Sequence, residues 1–370
     1  MRETPLLVRA ARRERVERTP VWFMRQAGRM LPEYRAVRER WTLLEICRQP
    51  ELAAEVTLQP LRRMPLDAAV LFSDIMIPLA AVGVALDIVE KVGPMIAAPV
   101  RDAAGVAALR PLVPEEDVPA TLEAIRLVRR ELAPSRAVLG FAGAPFTLAS
   151  YLVEGRPSRD FARTKALMFG EPALWHELMR RLSAIVIDYL RAQVVAGADA
   201  VQLFDSWVGA LAPADYAEYV RPYTRRIFAA LADAGVPTIH FGVGTASLLE
   251  LMRDDGASVI GLDWRTPLDD AWARVGHDRG VQGNLDPAAL LAPPAVLEAK
   301  ALDVLRRAGG RPGHIFNLGH GILPETSPSQ AERLVDVVQA YDERRFAAEP
   351  PAAGTPNVAA RANREATAEV

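Results

Sequence analysis

Residues 20–35 read Pro-Val-Trp-Phe-Met-Arg-Gln-Ala-Gly-Arg-Met-Leu-Pro-Glu-Tyr-Arg, and the rest of the chain is organised around them. The apolar residues 21–23 predict a short strand, and Arg25 and Arg29 follow it directly. In a helical turn, a spacing of four residues would put both guanidinium groups on one face. In a loop, Gly28 would allow a tight backbone that turns both of them inward. Either arrangement suits a ligand with several carboxylates or phosphates.

Arginine is the usual cation of this chain. Of the 44 lysine and arginine residues, only Lys91, Lys165 and Lys300 are lysine. Most arginines are therefore expected to be solvated surface residues, and Arg25 and Arg29 need support from the rest of the sequence. The formal net charge of −2 gives no argument for a nucleic-acid partner or a membrane surface.

The composition also limits which cellular compartment and which cofactors can be expected for this protein. No apolar run approaches the ~20 residues of a membrane-spanning helix, and the N-terminus lacks the apolar core of a secretory signal. Cys47 is the only cysteine, so the chain has no internal disulfide, thiolate zinc cluster or iron–sulfur cluster. These features predict a cytoplasmic protein.

Eight short apolar runs alternate with helical patterns along most of the chain. Continuous apolar runs are typical of parallel strands covered on both faces, and their repetition predicts a single-domain (β/α)8 TIM barrel. A doubly wound open sheet is the alternative, but no Gly-x-Gly-x-x-Gly follows an early strand. The predicted strands are 21–23, 67–74, 137–141, 200–204, 238–241, 259–262, 280–282 and 314–317. The predicted helices are 43–64 (with a second helix from residue 50), 118–132, 147–154, 159–169, 172–196, 214–234, 246–253, 268–275, 295–308 and 329–345.

The flanking segments complete the predicted domain, residues 1–345. Residues 1–18 predict an N-terminal helical extension on the surface. Residues 75–115 are rich in proline and glycine and predict a hairpin near 85–92 with a loop over the barrel mouth. From residue 346 to 370 there are few large apolar residues, so this part predicts a disordered tail.

Barrel enzymes gather their chemistry at the carboxyl ends of the strands, so the polar residues there form the candidate site. If the barrel forms, these residues converge on one cavity. In chain order they are Arg25, Arg29, Ser73, Asp74, Gly143 (with Tyr151 a turn further on), Asp205, Ser206, His240, Asp263, Asn284, Asp286 and His320.

Asp74 is the strongest single candidate, because Phe72, Ile75 and Ile77 surround it with apolar side chains. Partial removal from water would make its charge act strongly on a nearby cation or N–H group. The alternatives are a helix N-cap and an ion-pair partner for the arginines. His320 is the second candidate, since glycines on both sides would let the backbone approach a ligand closely.

The other signals are weaker, and several chemistries are missing. Tyr151 and Ser206 are candidates for hydrogen bonds, and a structural role is favoured for His240 inside its strand. No His-Glu-x-x-His, Cys/His cluster or P-loop is present. None of the three lysines ends a predicted strand, which argues against a Schiff-base mechanism.

Six stretches together resemble the uroporphyrinogen decarboxylase family, over about residues 5–345. The resemblance implies a homodimeric barrel enzyme of porphyrin and haem biosynthesis. It implies removal of four acetate carboxyls from uroporphyrinogen III, giving coproporphyrinogen III, without a cofactor. The stretches are Trp-Phe-Met-Arg-Gln-Ala-Gly-Arg (22–29), Phe-Ser-Asp (72–74), Gly-Phe-Ala-Gly-Ala-Pro-Phe-Thr-Leu (140–148) with Tyr151, Phe-Asp-Ser-Trp (204–207), Gly-Asn-Leu-Asp-Pro (283–287) and Asn-Leu-Gly-His-Gly (317–321).

The same resemblance implies roles for particular residues. Protonation of a pyrrole carbon would make the ring cationic, so that the ring itself accepts the electrons of the departing carboxylate. The essential aspartate corresponds to Asp74, which would stabilise that charge. The arginines would hold substrate carboxylates, and one of them, or an acid that it positions, would deliver the proton. The implied substrate-binding residues are Arg25, Gln26, Ala27, Gly28, Arg29, Asp74, Tyr151, Ser206 and His320.

Two other functions stay open. Barrel relatives of this family transfer methyl groups from corrinoids or methylated thiols, using zinc held by histidine and cysteine. Here the fifth strand reads Ile-His-Phe-Gly, which puts Phe241 at the thiol position, and Cys47 is remote in sequence. The other alternative is a tetrapyrrole carrier, whose pocket would bind the tetrapyrrole without catalysing a reaction.

Overall fold

Seven parallel strands form one curled sheet in this computed structural model, which describes residues 3–89 and 92–342. The strands follow one another in chain order across the sheet, and a separate antiparallel hairpin is made by β2 and β3. The strands are β1 (Ala68–Val70), β2 (Leu86–Val89), β3 (Gly93–Ile96), β4 (Ala137–Gly143), β5 (Ala200–Asp205), β6 (Thr238–Gly242), β7 (Val259–Gly261), β8 (Gly280–Gln282) and β9 (His314–Ile315).

Helices connect the strands of this sheet, and many of them begin with proline, which is suited to the first helical turn because it lacks an N–H. The longest helix ends at Gly197, whose φ of 118° suits glycine. The helices are α1 (Leu6–Ala11), α2 (Pro32–Arg38), α3 (Leu43–Cys47), α4 (Pro50–Arg63), α5 (Ile77–Ala81), α6 (Ala103–Ala108), α7 (Pro114–Asp117), α8 (Pro119–Glu131), α9 (Pro145–Glu154), α10 (Ala162–Gly170), α11 (Pro172–Ala196), α12 (Pro213–Tyr219), α13 (Arg221–Leu231), α14 (Leu249–Arg253), α15 (Leu268–Val275), α16 (Pro294–Ala308) and α17 (Pro328–Ala340), with 3-10 turns at Val208–Ala210, Ala246–Leu248 and Pro287–Leu291.

The segment around Val21 lies between the first and last strands of the sheet. On one side, Phe316 N–H donates to the Pro20 carbonyl at 2.9 Å, and Val21 pairs with Phe316 in a parallel bridge. On the other side, Asp67 N–H donates to the Val21 carbonyl at 2.9 Å, and the Val21 N–H donates to the Asp67 carboxylate at 2.8 Å. The predicted strand at 21–23 is thus a single bridge, and the α/β architecture is consistent with a TIM-like barrel.

The prediction of a surface helix over residues 1–18 is wrong. The helix covers only Leu6–Ala11, and Leu7 and Ala10 are fully buried. It packs against β4, β8 and β9 near their amino ends, because five of its six residues are apolar. The predicted tail from residue 346, and residues 343–345 of the last predicted helix, lie outside the described residues.

Several boundaries also differ from the predictions. The predicted helix 214–234 is two helices that meet at Val220, since Pro222 removes an N–H that a continuous helix would need. The short helices α2, α5, α6 and α7 were not predicted. The hairpin predicted near 85–92 is confirmed, although its second strand extends to Ile96. Within the described ranges, no helix is long and apolar enough to cross a membrane.

Candidate active site

A cavity of about 610 Å³ lies beyond the carboxyl ends of the strands. Loops that follow β1, β5 and β9 line it together with the arginine segment and α9. The predicted site residues that line it are Arg25, Ala27, Gly28, Arg29, Ser73, Asp74, Tyr151, Ser206 and His320.

Backbone pairing brings the arginine segment next to the loop that carries His320. Met24 N–H donates to Asn317 Oδ1 at 3.1 Å, and Ile322 N–H donates to the Met24 carbonyl at 2.8 Å. Arg25 follows with a φ of 62°, the left-handed region that few non-glycine residues adopt. This turn directs the chain into the cavity, which is how two segments so far apart in sequence come to share it.

Gln26 is the one member of the predicted substrate-binding segment that does not line the cavity. Its side chain is fully buried, accepts from Phe23 N–H at 2.9 Å and donates to the Ala68 carbonyl at 2.8 Å. It therefore connects the arginine segment to β1 beneath the site.

The guanidinium groups of Arg25 and Arg29 make no hydrogen bond or salt bridge among residues 3–89 and 92–342, and both face the cavity. Surface arginines elsewhere are commonly paired, as Arg180 is with Glu177 at 2.7 Å. An arginine without a carboxylate partner at the wall of a cavity keeps its donors for an anionic ligand.

The carboxylate of Asp74 also faces the cavity. Oδ1 accepts from Met76 N–H at 2.9 Å in the turn before α5, but the N-cap of α5 is Met76 and no side chain caps it, so Asp74 is not the helix N-cap that the sequence left open. No salt bridge joins Asp74 to Arg25 or Arg29 in the described chain. Burial raises the pKa of Asp74, while the Met76 hydrogen bond and the positive charge of Arg25 oppose that rise. The site thus contains one poorly solvated carboxylate with a cation nearby.

His320 and Gly321 line the cavity, and the glycines on both sides of His320 lie close to other parts of the protein. Burial, with the charges of Arg25 and Arg265, lowers the pKa of His320 to about 4, so the ring is neutral at pH 7. A Cβ at Gly319 would lie 2.4 Å from Trp264 N, and one at Gly321 would lie 2.5 Å from Arg25 Cδ. The glycines therefore make room for the protein's own chain and for Arg25.

Aromatic rings form one wall of the cavity. The rings of Tyr151 and Trp207 lie 4.1 Å apart at an angle of 38°. Burial and the Asp74 carboxylate raise the pKa of Tyr151, so its hydroxyl keeps its proton. In the described residues no protein group hydrogen bonds to that hydroxyl, which leaves it available to a ligand.

Three phenylalanines extend the apolar surface across neighbouring strands. Phe141 and Phe204 meet edge to face at 5.4 Å, and Phe204 and Phe241 do so at 5.9 Å. They are not among the predicted site residues, although each stands at or next to the end of a predicted strand. An apolar surface next to two cations and a carboxylate suits a flat, polyanionic organic ligand.

The sequence predicted a loop over the barrel mouth but none of the residues that border the cavity there. Arg38 and Leu43 form one part of it, and the β2–β3 hairpin contributes Ile88 and Val89. The cavity therefore has a third cation and an apolar border at its opening.

Five polar residues at strand ends do not reach the cavity. Asp205 and His240 are fully buried, 3.6 Å apart. Asp263 accepts from Gly244 N–H and from Arg265, and Asn284 donates to the Asp263 carbonyl at 2.8 Å. Asp286 caps a turn by accepting from Ala288 N–H.

The groups required for bound zinc are not assembled in the described residues. No set of three histidine, cysteine, aspartate or glutamate side chains there is arranged to hold a metal. His240 Nε2 lies 3.6 Å from Asp205 Oδ2, whereas Cys47 is buried beside Ser73. Burial raises the pKa of Cys47 to about 12, which opposes formation of a thiolate.

Comparisons with known proteins give a consistent result. The family model "Uroporphyrinogen decarboxylase (URO-D)" matches residues 2–341. The uroporphyrinogen decarboxylase of Sorangium cellulosum is 56% identical over 343 residues, covering 93% of this chain and 98% of that protein. That of a Thermus thermophilus strain is 58% identical over 334 residues, covering 90% of this chain and 97% of that protein.

Solved structures resemble the chain in fold. A methyltransferase from Methanosarcina mazei superposes with a TM-score of 0.77 at 20% identity, covering 94% of this chain and all of that one. A B12-independent methionine synthase from Shewanella gives a TM-score of 0.55 at 9% identity, covering 81% of this chain and 89% of that one. At these identities the likeness concerns the fold alone.

Proposed function

The chain belongs to the uroporphyrinogen decarboxylase family, and on that premise we propose that its cavity binds uroporphyrinogen III. The protein removes the carboxyl groups of the four acetate arms and gives coproporphyrinogen III, a carboxy-lyase reaction of porphyrin and haem biosynthesis. The observation that carries this proposal is the combination of two guanidinium groups, Arg25 and Arg29, which are unpaired within the described residues, with the Asp74 carboxylate in one aromatic-walled cavity.

The arginines bind the carboxylates of the substrate. Each guanidinium presents a planar set of donors that matches a carboxylate in two parallel hydrogen bonds. Because no protein carboxylate is paired with Arg25 or Arg29 in the described chain, substrate binding breaks no existing salt bridge. Ala27 and Gly28, which also line the cavity, leave room between the two side chains.

Asp74 stabilises the positive charge that develops when a pyrrole carbon is protonated. The protonated ring accepts the electron pair of the breaking carbon–carbon bond, carbon dioxide leaves, and an exocyclic methylene remains. This methylene takes up a proton to become the methyl group, and the ring carbon releases the proton it had gained, so each carboxyl removed consumes one proton. A carboxylate that is already fixed by Met76 N–H and poorly solvated needs little reorganisation to favour that cation. Arg25, Arg29 or an acid that they position supplies the proton, and the reaction as proposed uses no cofactor.

Tyr151, Ser206 and His320 make the remaining substrate contacts. The protonated hydroxyl of Tyr151 and the neutral ring of His320 are hydrogen-bonding groups that add no charge to the site. Gln26 belongs to this segment but acts from beneath it, by holding the turn that carries Arg25.

The fold proposal is a single-domain (β/α)8 barrel over residues 1–345. Its support is the pair of hydrogen-bonded edges at Val21, which connect the last strand of the sheet to the residue before β1. The protein is further proposed to act in the cytoplasm as a homodimer, with no nucleic acid or membrane partner. Sedimentation equilibrium should then give about twice the chain mass of 40.4 kDa.

The test is an anaerobic assay with uroporphyrinogen III, in the presence of a chelator, resolving products by their number of carboxyls. We expect stepwise loss down to the tetracarboxylate. Tight binding without any product would instead identify a tetrapyrrole carrier. If the protein neither forms product nor binds uroporphyrinogen III, the proposed ligand is refuted.

Asp74→Asn separates the mechanism from the fold. We expect turnover to fall by about 100-fold or more, with an unchanged melting temperature, because the amide keeps the shape but not the charge. Asp286→Asn is the matched control, since this strand-end carboxylate only caps a turn away from the cavity. Equal turnover in a folded Asp74→Asn variant would remove Asp74 from the mechanism.

A further inference from the structure

Thr147 and Asp205 form a buried pair directly behind the aromatic wall of the site. Both side chains are fully buried, and neither lines the cavity. The Thr147 hydroxyl donates to Asp205 Oδ1 at 3.1 Å and accepts from Trp207 N–H at 3.4 Å. One hydroxyl group therefore connects the end of β5, the start of α9 and the backbone of a cavity residue.

The two cavity residues affected by this pair are Tyr151 and Trp207. Tyr151 lies four residues after Thr147 on α9, so both are on the same face of that helix. Trp207 lies two residues after Asp205, and its ring is 4.1 Å from that of Tyr151. A shift of α9 against the end of β5 would therefore move both rings and the Tyr151 hydroxyl together.

The second oxygen of Asp205 has no hydrogen bond in the described structure. This oxygen lies 3.6 Å from His240 Nε2 on the neighbouring strand. A buried carboxyl group is costly unless hydrogen bonds compensate for the lost water, and the Asp205 side chain accepts such a hydrogen bond from Thr147. The hydrogen bond to Asp205 fixes the direction of the Thr147 hydroxyl proton and leaves an oxygen lone pair for Trp207 N–H.

We propose that Asp205 and Thr147 are positioning residues that act on the reaction through Tyr151 and Trp207. The inference rests on the proposed function, in which Tyr151 contacts the substrate. Thr147→Val keeps the volume and removes the hydroxyl, whereas Thr147→Ser keeps the hydroxyl. A misplacement of about 1 Å can cost up to about 100-fold in rate. We expect Thr147→Val to lower kcat/KM by about 10-fold or more, and Thr147→Ser to restore most of it.

A double-mutant cycle with Tyr151→Phe distinguishes positioning from a merely structural role. If Thr147 acts through Tyr151, Thr147→Val should cost less than about 3-fold in the Tyr151→Phe background. The loss of thermal stability should be the same in both backgrounds. Equal fold-losses of kcat/KM in the two backgrounds, or no rescue by Thr147→Ser, would overturn the proposal.

Asp205→Ala tests the other half of the pair. Combined with Thr147→Val, it should lower kcat/KM no further than the larger single change, because both remove the same hydrogen bond. A multiplicative loss would refute a joint action. If the Asp205→Ala variant does not fold, the double-mutant cycle of Thr147 with Tyr151 alone tests the proposal.

The activity of the wild-type protein is measured first. If the wild type does not decarboxylate the substrate, the proposed function is refuted. If the wild type is active but the effects of Thr147→Val and Tyr151→Phe are additive, only the positioning role is refuted.

Discussion

Gly321→Ala should separate catalytic activity from stability in this protein. The added methyl group would lie 2.5 Å from Arg25 Cδ and 2.9 Å from Cγ, and no other atom lies within 3.0 Å. The backbone at Gly321 is not in the left-handed region, so alanine is compatible with it. Among the protein's own atoms the substitution therefore displaces chiefly the Arg25 side chain, although Gly321 also lines the cavity and the methyl group takes up a little of its space.

The size of that displacement follows from the contact distances. Real Cβ contacts are rarely closer than 3.4 Å, and the contact here would be 2.5 Å, so the Arg25 stem must move by about 0.9 Å. A flexible side chain does this at low cost, and we expect the free energy of unfolding to change by less than about 1 kcal/mol. The guanidinium moves with its stem, and kcat/KM should fall by about 10- to 100-fold.

The measurements are steady-state decarboxylation of uroporphyrinogen III and urea unfolding. Gly170→Ala is the matched control, because a Cβ there meets nothing within 4 Å and Gly170 does not line the cavity. Its kcat/KM should equal that of the wild type. A Gly321→Ala variant with kcat/KM within about 3-fold of the wild type would refute the idea that the placement of Arg25 matters for the reaction.

Three further perturbations test the structure around the site. Gly319→Ala should destabilise the fold by about 3 kcal/mol in urea unfolding, because its Cβ would meet the Trp264 backbone rather than a flexible side chain; an unchanged midpoint would contradict this. Asp67→Asn should cost about 2 kcal/mol, since Asp67 accepts two hydrogen bonds from Arg18 at 2.7 Å and one from Val21 N–H; Asp286→Asn is its control. Burial lowers the pKa of His314 from the usual 6.5 to about 4, so the unfolded chain binds a proton that the folded chain does not, and stability should fall as pH drops from about 6.5 to about 4. His314→Gln should lessen that fall by up to about 3 kcal/mol, and an identical pH dependence in the variant would contradict the assignment.

Much of the fold was predictable because parallel strands covered on both faces leave a distinct pattern. The predicted strand at 280–282 and the predicted helices at 172–196 and 268–275 match the structure residue for residue. The surface helix at the N-terminus was wrong for a physical reason. An apolar segment at a chain end looks the same whether it covers the end of a sheet or lies in solvent, and only the presence of the sheet decides.

Part of the candidate site could also be predicted from the sequence. The rule that strand ends converge predicted that Arg25, Asp74 and His320 would share one cavity, and all three line the cavity of the structure. It failed to separate the cavity residues from Asp205 and Asp263, whose side chains turn behind the wall. The side of a strand end to which a polar side chain points depends on the loop that follows, and loop geometry has no simple periodicity.

Local sequence patterns were sufficient for the alternation of strands and helices, the segments that carry the family resemblance, and the residue types available for chemistry. These follow from patterning and composition, which do not depend on distant contacts. Other features are known only from the tertiary structure. It shows which arginines lack partners in the described chain, and that the glycines beside His320 make room for Arg25 and the Trp264 backbone. It also shows that Thr147 lies behind Tyr151. Each of these depends on contacts between segments far apart in the chain, and only the folded packing creates them.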